Sequence, residues 1–276
     1  MPTRTKQNSV FSQIATQVGC GDATTDAAER LRCLRLANSS AVWAAGGTLG
    51  WQPIVDGVFL KDTPIRRVLD GKVSPVPSIL GTNTDEGWMF TQAVKVASDV
   101  MPFVRTRFSL LTDAEIARVE ELYPAANFPT ASDHVAEIYS DAIYVCPSEL
   151  SSLVQAQNGH STFRYRFNET NTLYGLPRAI HTAEISYVFG RFADLSQAAP
   201  TQAFVKTMQR YWTNFAMSGS PNGGSAAAGN SCGDQSADGS FQWPPYDASV
   251  KQQILLQASA LSLETTGAYM PLHAER

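Results

Sequence analysis

His181, one of four histidines, stands in the run Arg178-Ala-Ile-His-Thr-Ala-Glu184, just ahead of the strand-like apolar stretch Ile185–Phe189 that Gly190 closes. Upstream, Glu86 ends the run Leu80-Gly-Thr-Asn-Thr-Asp-Glu-Gly87. A carboxylate that accepts the Nδ1 proton of an imidazole fixes its tautomer and leaves Nε2 to take a proton from an attacking hydroxyl. Acid first and histidine second is the order of the last two members of a Ser, Asp/Glu, His relay. Taken singly, such a histidine is more often structural, and an acid in a turn is more often an ordinary exposed one. The attacking group itself is missing ahead of them: no Gly-x-Ser-x-Gly turn precedes Glu86. The formal match Gly229-Asn-Ser-Cys-Gly233 follows both acid and base and falls in a small, polar run. A nucleophilic serine needs a strained strand-to-helix turn, so Ser231 is not expected to attack. His134, His160 and His273 are scattered without metal-ligand spacing, and no metal or cofactor is implied.

The elements around these residues follow from periodicity and punctuation. Val76-Pro-Ser-Ile-Leu80, running into Gly-Thr-Asn, suits a buried parallel strand that delivers Glu86 to a loop at its C-terminal end, where open α/β sheets carry their chemistry. Thr162-Phe-Arg-Tyr-Arg-Phe167 alternates with period two and predicts a strand; Gln253–Gln257 and Ala260–Glu264 predict two closing strands. Helices are predicted over 25–37, over 64–70 with Gly71 as stop, over 112–122 behind a Thr-x-x-Glu capping box, and as one or two segments within 131–157. A further helix over 202–217 carries Phe204, Met208, Tyr211, Trp212 and Phe215 on one face, a stripe that core packing explains. Ile54-Val-Asp-Gly-Val-Phe-Leu60 reads as a short strand pair around an Asp-Gly turn. Residues 218–240 are too poor in apolar area to offset the entropy of ordering them, and read as a low-complexity surface loop.

With 276 residues and 43% hydrophobic content the chain can build a substantial core. A net charge of -4 with interspersed signs offers no basic patch for a phosphate backbone, which excludes nucleic acid as the expected partner. No apolar run reaches the roughly 18 residues of a membrane span, and the start Met-Pro-Thr-Arg-Thr-Lys-Gln-Asn lacks the apolar centre of a signal peptide. Cys20 and Cys33 bracket a polar segment and are either two unpaired thiols or a disulfide. The bond would contribute about 3 kcal/mol and place the protein in an oxidising compartment. The sequons Asn38-Ser-Ser40 and Asn168-Glu-Thr170 point the same way. Cys146 and Cys232 have no partner evident from sequence.

Gly81–Gly87, Ala179–Gly190, Tyr211–Asn222 and Trp243-Pro-Pro-Tyr246 occur in the order and approximate spacing of type B carboxylesterases, the group containing cholinesterases and fungal lipases. Pro53-Ile-Val-Asp-Gly57 and the Cys20/Cys33 pair fit too, so the resemblance runs from about residue 10 to the C-terminus. It implies that residues 1–276 form the C-terminal half of such a domain: a partial α/β-hydrolase fold, mostly parallel sheet with helices packed around it. Glu86 is then the triad acid, His181 the general base, Glu184 a second carboxylate held near them, Met89 and Phe90 substrate-pocket residues, and Cys20–Cys33 a disulfide. The glycine-rich oxyanion loop and the nucleophile turn of relatives lie upstream of the point where this chain begins.

The implied function is a carboxylic-ester hydrolase fragment, inactive alone. It would act on a small-molecule or lipid ester when an N-terminal half completes it, and be secreted like its relatives. The alternative is a non-catalytic, cholinesterase-like protein that uses the fold for binding or adhesion. A half-sheet should also leave an edge exposed and self-associate through it.

Overall fold

The computed structural model describes residues 4–47, 53–170, 178–190, 199–223 and 241–266, in two compact units, 1–72 and 73–276. The first unit contains α1 (Arg4–Gln17), α2 (Ala27–Leu36), α3 (Ser39–Gly46) and α4 (Pro64–Leu69). The Asp26 carboxylate accepts the N–H groups of Ala28 and Glu29 and so starts α2. Asn38 caps α3 through Ser40 and Ala41, a helix that no sequence signal above announces. Cys20 and Cys33 are disulfide-bonded across a separation of 13 residues. Closing a loop of that size is worth about 3 kcal/mol, which matters where the buried apolar side chains among the described residues are Val10, Ile14, Ala15 and Cys20.

The strand pair predicted at 54–60 does not form. Instead one Asp56 carboxylate oxygen accepts the N–H groups of both Val58 and Leu60, while Gly57 donates to the Leu60 carbonyl. The side chain has taken the donors that a ladder would have needed. The helix predicted at 64–70 is α4, with Pro64 in its first turn and Gly71 beyond its end.

The second unit is organised on a four-stranded sheet in the order β1 (Ser78–Asn83), β2 (Thr162–Phe167), β3 (Gln252–Leu256), β4 (Ser262–Thr265). β1, β2 and β3 run parallel, with Ser78 opposite Thr162 and Tyr165 opposite Ile254, and β4 returns antiparallel. Every residue of β2 is buried, so its alternation separates two interiors rather than core from solvent. On one face Phe163, Tyr165 and Phe167 pack with Trp243, Phe204, Met208 and Tyr211, the last three from α11 (Ala199–Ser218). Full burial of such side chains contributes roughly 1.5–3 kcal/mol each. The apolar stripe predicted for this helix is thus a core face. On the other face Arg164 donates to Gln253 and Ser148, and Arg166 grips Glu264 with two bonds of 2.7 Å. Buried guanidinium groups persist where they are paired and hydrogen-bonded in this way.

Between β1 and β2 lie α5 (Trp88–Thr91), α6 (Val100–Arg107), α7 (Asp113–Leu122), α8 (Ala131–Ser140) and α9 (Cys146–Gln157). The capping box of Thr112 and Glu115 is present at α7. Val100, Val104, Ile116, Tyr123, Val135 and Ile138 make a second apolar cluster among these helices. α8 and α9 are joined without a break by a π-turn over Asp141–Val145, in which the Cys146 N–H reaches back to the Asp141 carbonyl. Pro147 accounts for it: the ring has no N–H to donate and would crowd the carbonyl four residues earlier, and one wider turn relieves both.

The strand-like run after His181 is a helix, α10 (Ala183–Val188); its residues pair with no strand and bury Ala183 and Tyr187 against the core. Of the surface loop predicted at 218–240, residues 224–240, including Ser231 and Cys232, lie outside the described residues. Among the described residues no helix is long and apolar enough to cross a membrane.

Candidate active site

The turn after β1 and the segment before α10 are stitched together by backbone. Asp85 donates its N–H to the Ala179 carbonyl at 2.9 Å, and its carboxylate accepts the Ala179 N–H. Arg178 clamps the same junction, bonding Asp85 at 2.9 Å and Asp133 of α8 at 2.8 Å. That register brings the two side chains singled out by chain order together: His181 Nδ1 lies 2.6 Å from Glu86 Oε2. The carboxylate is buried, with 7% of its side chain exposed, whereas the imidazole keeps 33% of its side chain exposed. A geometry with Nδ1 engaged and the ring partly open leaves Nε2 as the atom that can exchange a proton with a partner.

Asn83, the last residue of β1, organises the pair. Its N–H donates to Glu86 Oε1 at 2.8 Å, so both carboxylate oxygens are held. Its side-chain amide donates to the Ile180 carbonyl at 2.7 Å and to Glu184 Oε2 at 2.5 Å, tying the histidine segment to the acid turn. Burial pushes the Glu86 carboxyl above its usual range; the Asn83 N–H and His181 pull it back, and the neighbouring charge of Glu184 adds to the upward push. Glu184 therefore stands beside the pair.

Gly87 has a steric reason. A Cβ there would sit 2.1 Å from the Ala136 carbonyl oxygen, and the Gly87 N–H donates to Ser140 Oγ at 2.8 Å. The acid turn is thus pressed directly onto α8 at a spot only glycine fits. Of the two apolar candidates, Phe90 is brought to the imidazole, with ring centroids 5.5 Å apart. Met89 sits next to it on α5, 52% exposed. Tyr144 of the π-turn comes closer still, at 4.8 Å from the His181 ring. Neither Asn83 nor Tyr144 is singled out by the sequence. Asn83 lay in the Gly-Thr-Asn run already read as the strand end, and Tyr144 carries no local signal, because its position depends on the turn.

Comparison with known proteins agrees with this architecture. The model of the carboxylesterase family matches residues 1–267. Secreted lipase 4 of Gibberella zeae is 23% identical over 92% of this chain and 47% of its own length. The pyrethroid hydrolase Ces2a of Mus musculus is 28% identical over 77% of the chain and 42% of its own length. The bile salt-activated lipase of Homo sapiens is 25% identical over 80% and 34%. The chain spans less than half the length of these curated relatives. A match over nearly its whole length nevertheless makes this chain a member of the carboxylesterase family.

Proposed function

We propose that this chain supplies the acid and base of a carboxylic-ester hydrolase, with Glu86 as the acid, His181 as the general base and Glu184 as a supporting carboxylate. The attacking hydroxyl and the oxyanion donors come from polypeptide beyond these 276 residues. The observation that carries the reading is the 2.6 Å contact between His181 Nδ1 and Glu86 Oε2, with the second carboxylate oxygen held by Asn83. In the reaction, Nε2 of His181 takes the hydroxyl proton as oxygen attacks the ester carbonyl, and Glu86 stabilises the resulting imidazolium. The proton then passes to the departing alcohol, and water clears the acyl-enzyme by the same relay.

The free side of β1 is where the missing part belongs. Among the described residues β1 is the edge of the sheet, paired on one side by β2. An added parallel strand there would end beside the acid turn, at the C-terminal edge where chemistry collects. Left unpaired, the same edge is a site for association between copies of the chain. The Cys20–Cys33 bond supports an oxidising, extracellular setting. Of the two sequons, Asn38 is exposed, whereas the Asn168 amide is held by Thr84 and Gln257.

The test is turnover of a short-chain p-nitrophenyl ester by this chain joined to, or co-expressed with, a segment bearing a Gly-x-Ser-x-Gly turn. Activity should appear on completion and be lost in His181→Gln. Turnover by the isolated chain that Ser231→Ala abolishes would overturn the assignment of the nucleophile.

A further inference from the structure

Beside the imidazole the structure assembles three aromatic rings that end at a cation. Phe90 stacks on Tyr139 with centroids 5.3 Å apart and lies 6.4 Å from Tyr144, both at 23° between planes. Tyr144 in turn lies against His181. The π-turn makes this possible. Residues five apart on an α-helix point about 140° away from each other, but a turn closed by a five-residue hydrogen bond brings them onto one side, and the Tyr139 and Tyr144 rings are 6.3 Å apart. Tyr139 is buried as the floor, while Phe90 stays 42% exposed as the ledge above it.

Arg107, at the end of α6, closes the far side. Its guanidinium lies 5.3 Å from the Tyr139 ring centroid and donates one N–H to the Tyr139 hydroxyl at 3.1 Å. Among the described residues its hydrogen-bond partner is the Tyr139 hydroxyl, which leaves most of its five-donor fork open there. The Tyr144 hydroxyl makes no hydrogen bond among the described residues. Burial pushes that phenol up to about 12, which keeps it a donor across the working pH range. An exposed apolar ledge, a hydroxyl donor and a guanidinium grouped around the Tyr139 ring, with two of the rings touching the imidazole, are the parts of a binding site for a flat group with an anionic end.

We propose that Phe90, Tyr139, Tyr144 and Arg107 form a subsite beside His181 for esters that carry, remote from the scissile bond, an aromatic group ending in a carboxylate. The substrate class rests on the ester-hydrolase reading; the binding of the anion does not.

The experiment titrates the full chain with biphenyl-4-carboxylate and, separately, with the neutral biphenyl-4-methanol, following the ring protons of His181 by NMR. The carboxylate should bind about tenfold more tightly than the alcohol and shift the His181 resonances by ring current. Arg107→Gln should erase that preference while affecting the affinity for the alcohol far less than that for the carboxylate, and Arg107→Lys should restore part of it. Retention of the Nδ1–H signal of the His181–Glu86 pair in each variant certifies the fold. Equal affinity for the two probes, a preference that survives Arg107→Gln, or saturation without movement of the His181 signals would each overturn the proposal. Binding is read without turnover, so the two readings fail separately. A completed enzyme that cleaves no ester while its chain still selects the anionic probe refutes only the hydrolase reading. One that cleaves neutral esters and ignores the anionic probe refutes only the subsite.

Discussion

Glu86 and Glu137 are two withdrawn glutamates on either side of the contact between the acid turn and α8; burial pushes both carboxyls up, but the groups aimed at them differ. Glu86 is met by donors: the Asn83 N–H on one oxygen and the His181 ring on the other. Glu137 is met by further acids. Burial and the neighbouring charges of Asp141 and Asp85 all push in the same direction and raise its carboxyl to about 8. Burial alone therefore does not decide what a carboxyl becomes; the polarity of the groups aimed at it does. A carboxylate given two donors can orient an imidazole even beside Glu184, whereas burial together with the charges of Asp141 and Asp85 favours the neutral form of Glu137.

The largest effect should come from removing the first of these charges. Glu86→Gln in the completed enzyme should lower ester turnover by roughly ten-thousand-fold, since the amide favours the wrong tautomer of His181. A stopped assay with a p-nitrophenyl ester measures it; a loss below tenfold would mean that Glu86 does not serve the imidazole in this way.

The second glutamate should behave oppositely, as a group that is better neutralised. Its folded-state value lies above the unfolded one, so the protonated form is bound more tightly in the native chain. Stability is therefore full below about 4.5 and falls as pH rises through about 8. Glu137→Gln should leave stability near pH 4.5 almost unchanged and raise it by roughly 2–4 kcal/mol at pH 9. Urea unfolding at the two pH values gives the answer, and a stabilisation independent of pH would contradict it.

Asn83 sharpens the comparison from the donor side. Asn83→Ala keeps the backbone bond to Glu86 but strips the Ile180 carbonyl and Glu184 of their shared donor, and should cost about 1–3 kcal/mol. The Nδ1–H resonance of His181 should broaden through faster exchange as the two segments loosen. An unchanged spectrum would remove Asn83 from the set of positioning residues.

The smallest change concerns the residue that touches both regions. Ser140 lies three positions beyond Glu137 and accepts the N–H of Gly87. Ser140→Ala leaves that buried donor without its partner and should destabilise the chain by about 1–2 kcal/mol, with Ser140→Thr recovering part of the loss.

How much of this could be read in advance depended on the range of each signal. The capping box at Thr112 and Glu115, the stripe from Phe204 to Phe215, the end of α4 at Gly71 and the strands near 78 and 162 are settled within a dozen residues. They form as the local pattern predicts, because caps and periodicity are short-range physics. The run after His181 shows the limit. Ile185–Phe189 is as apolar as a strand, but a strand also needs a partner edge, and here the chain finds helical packing against Phe167 and Phe204 instead. At 54–60 a single carboxylate captured the donors that a hairpin required.

Sequence by itself determined the residue types and their order: a turn acid ahead of a histidine, and two cysteines around a closable loop. The tertiary structure decided what those residues meet. It alone placed Asn83 across two segments 97 residues apart, filled both faces of β2, and set Tyr144 against His181. The reason is that hydrogen bonds, burial and ring contacts between distant segments depend on sheet register and on the direction of each turn. A one-residue widening of a helix at Pro147 is enough to re-aim a side chain, and nothing within a few residues of Tyr144 announces where it will point.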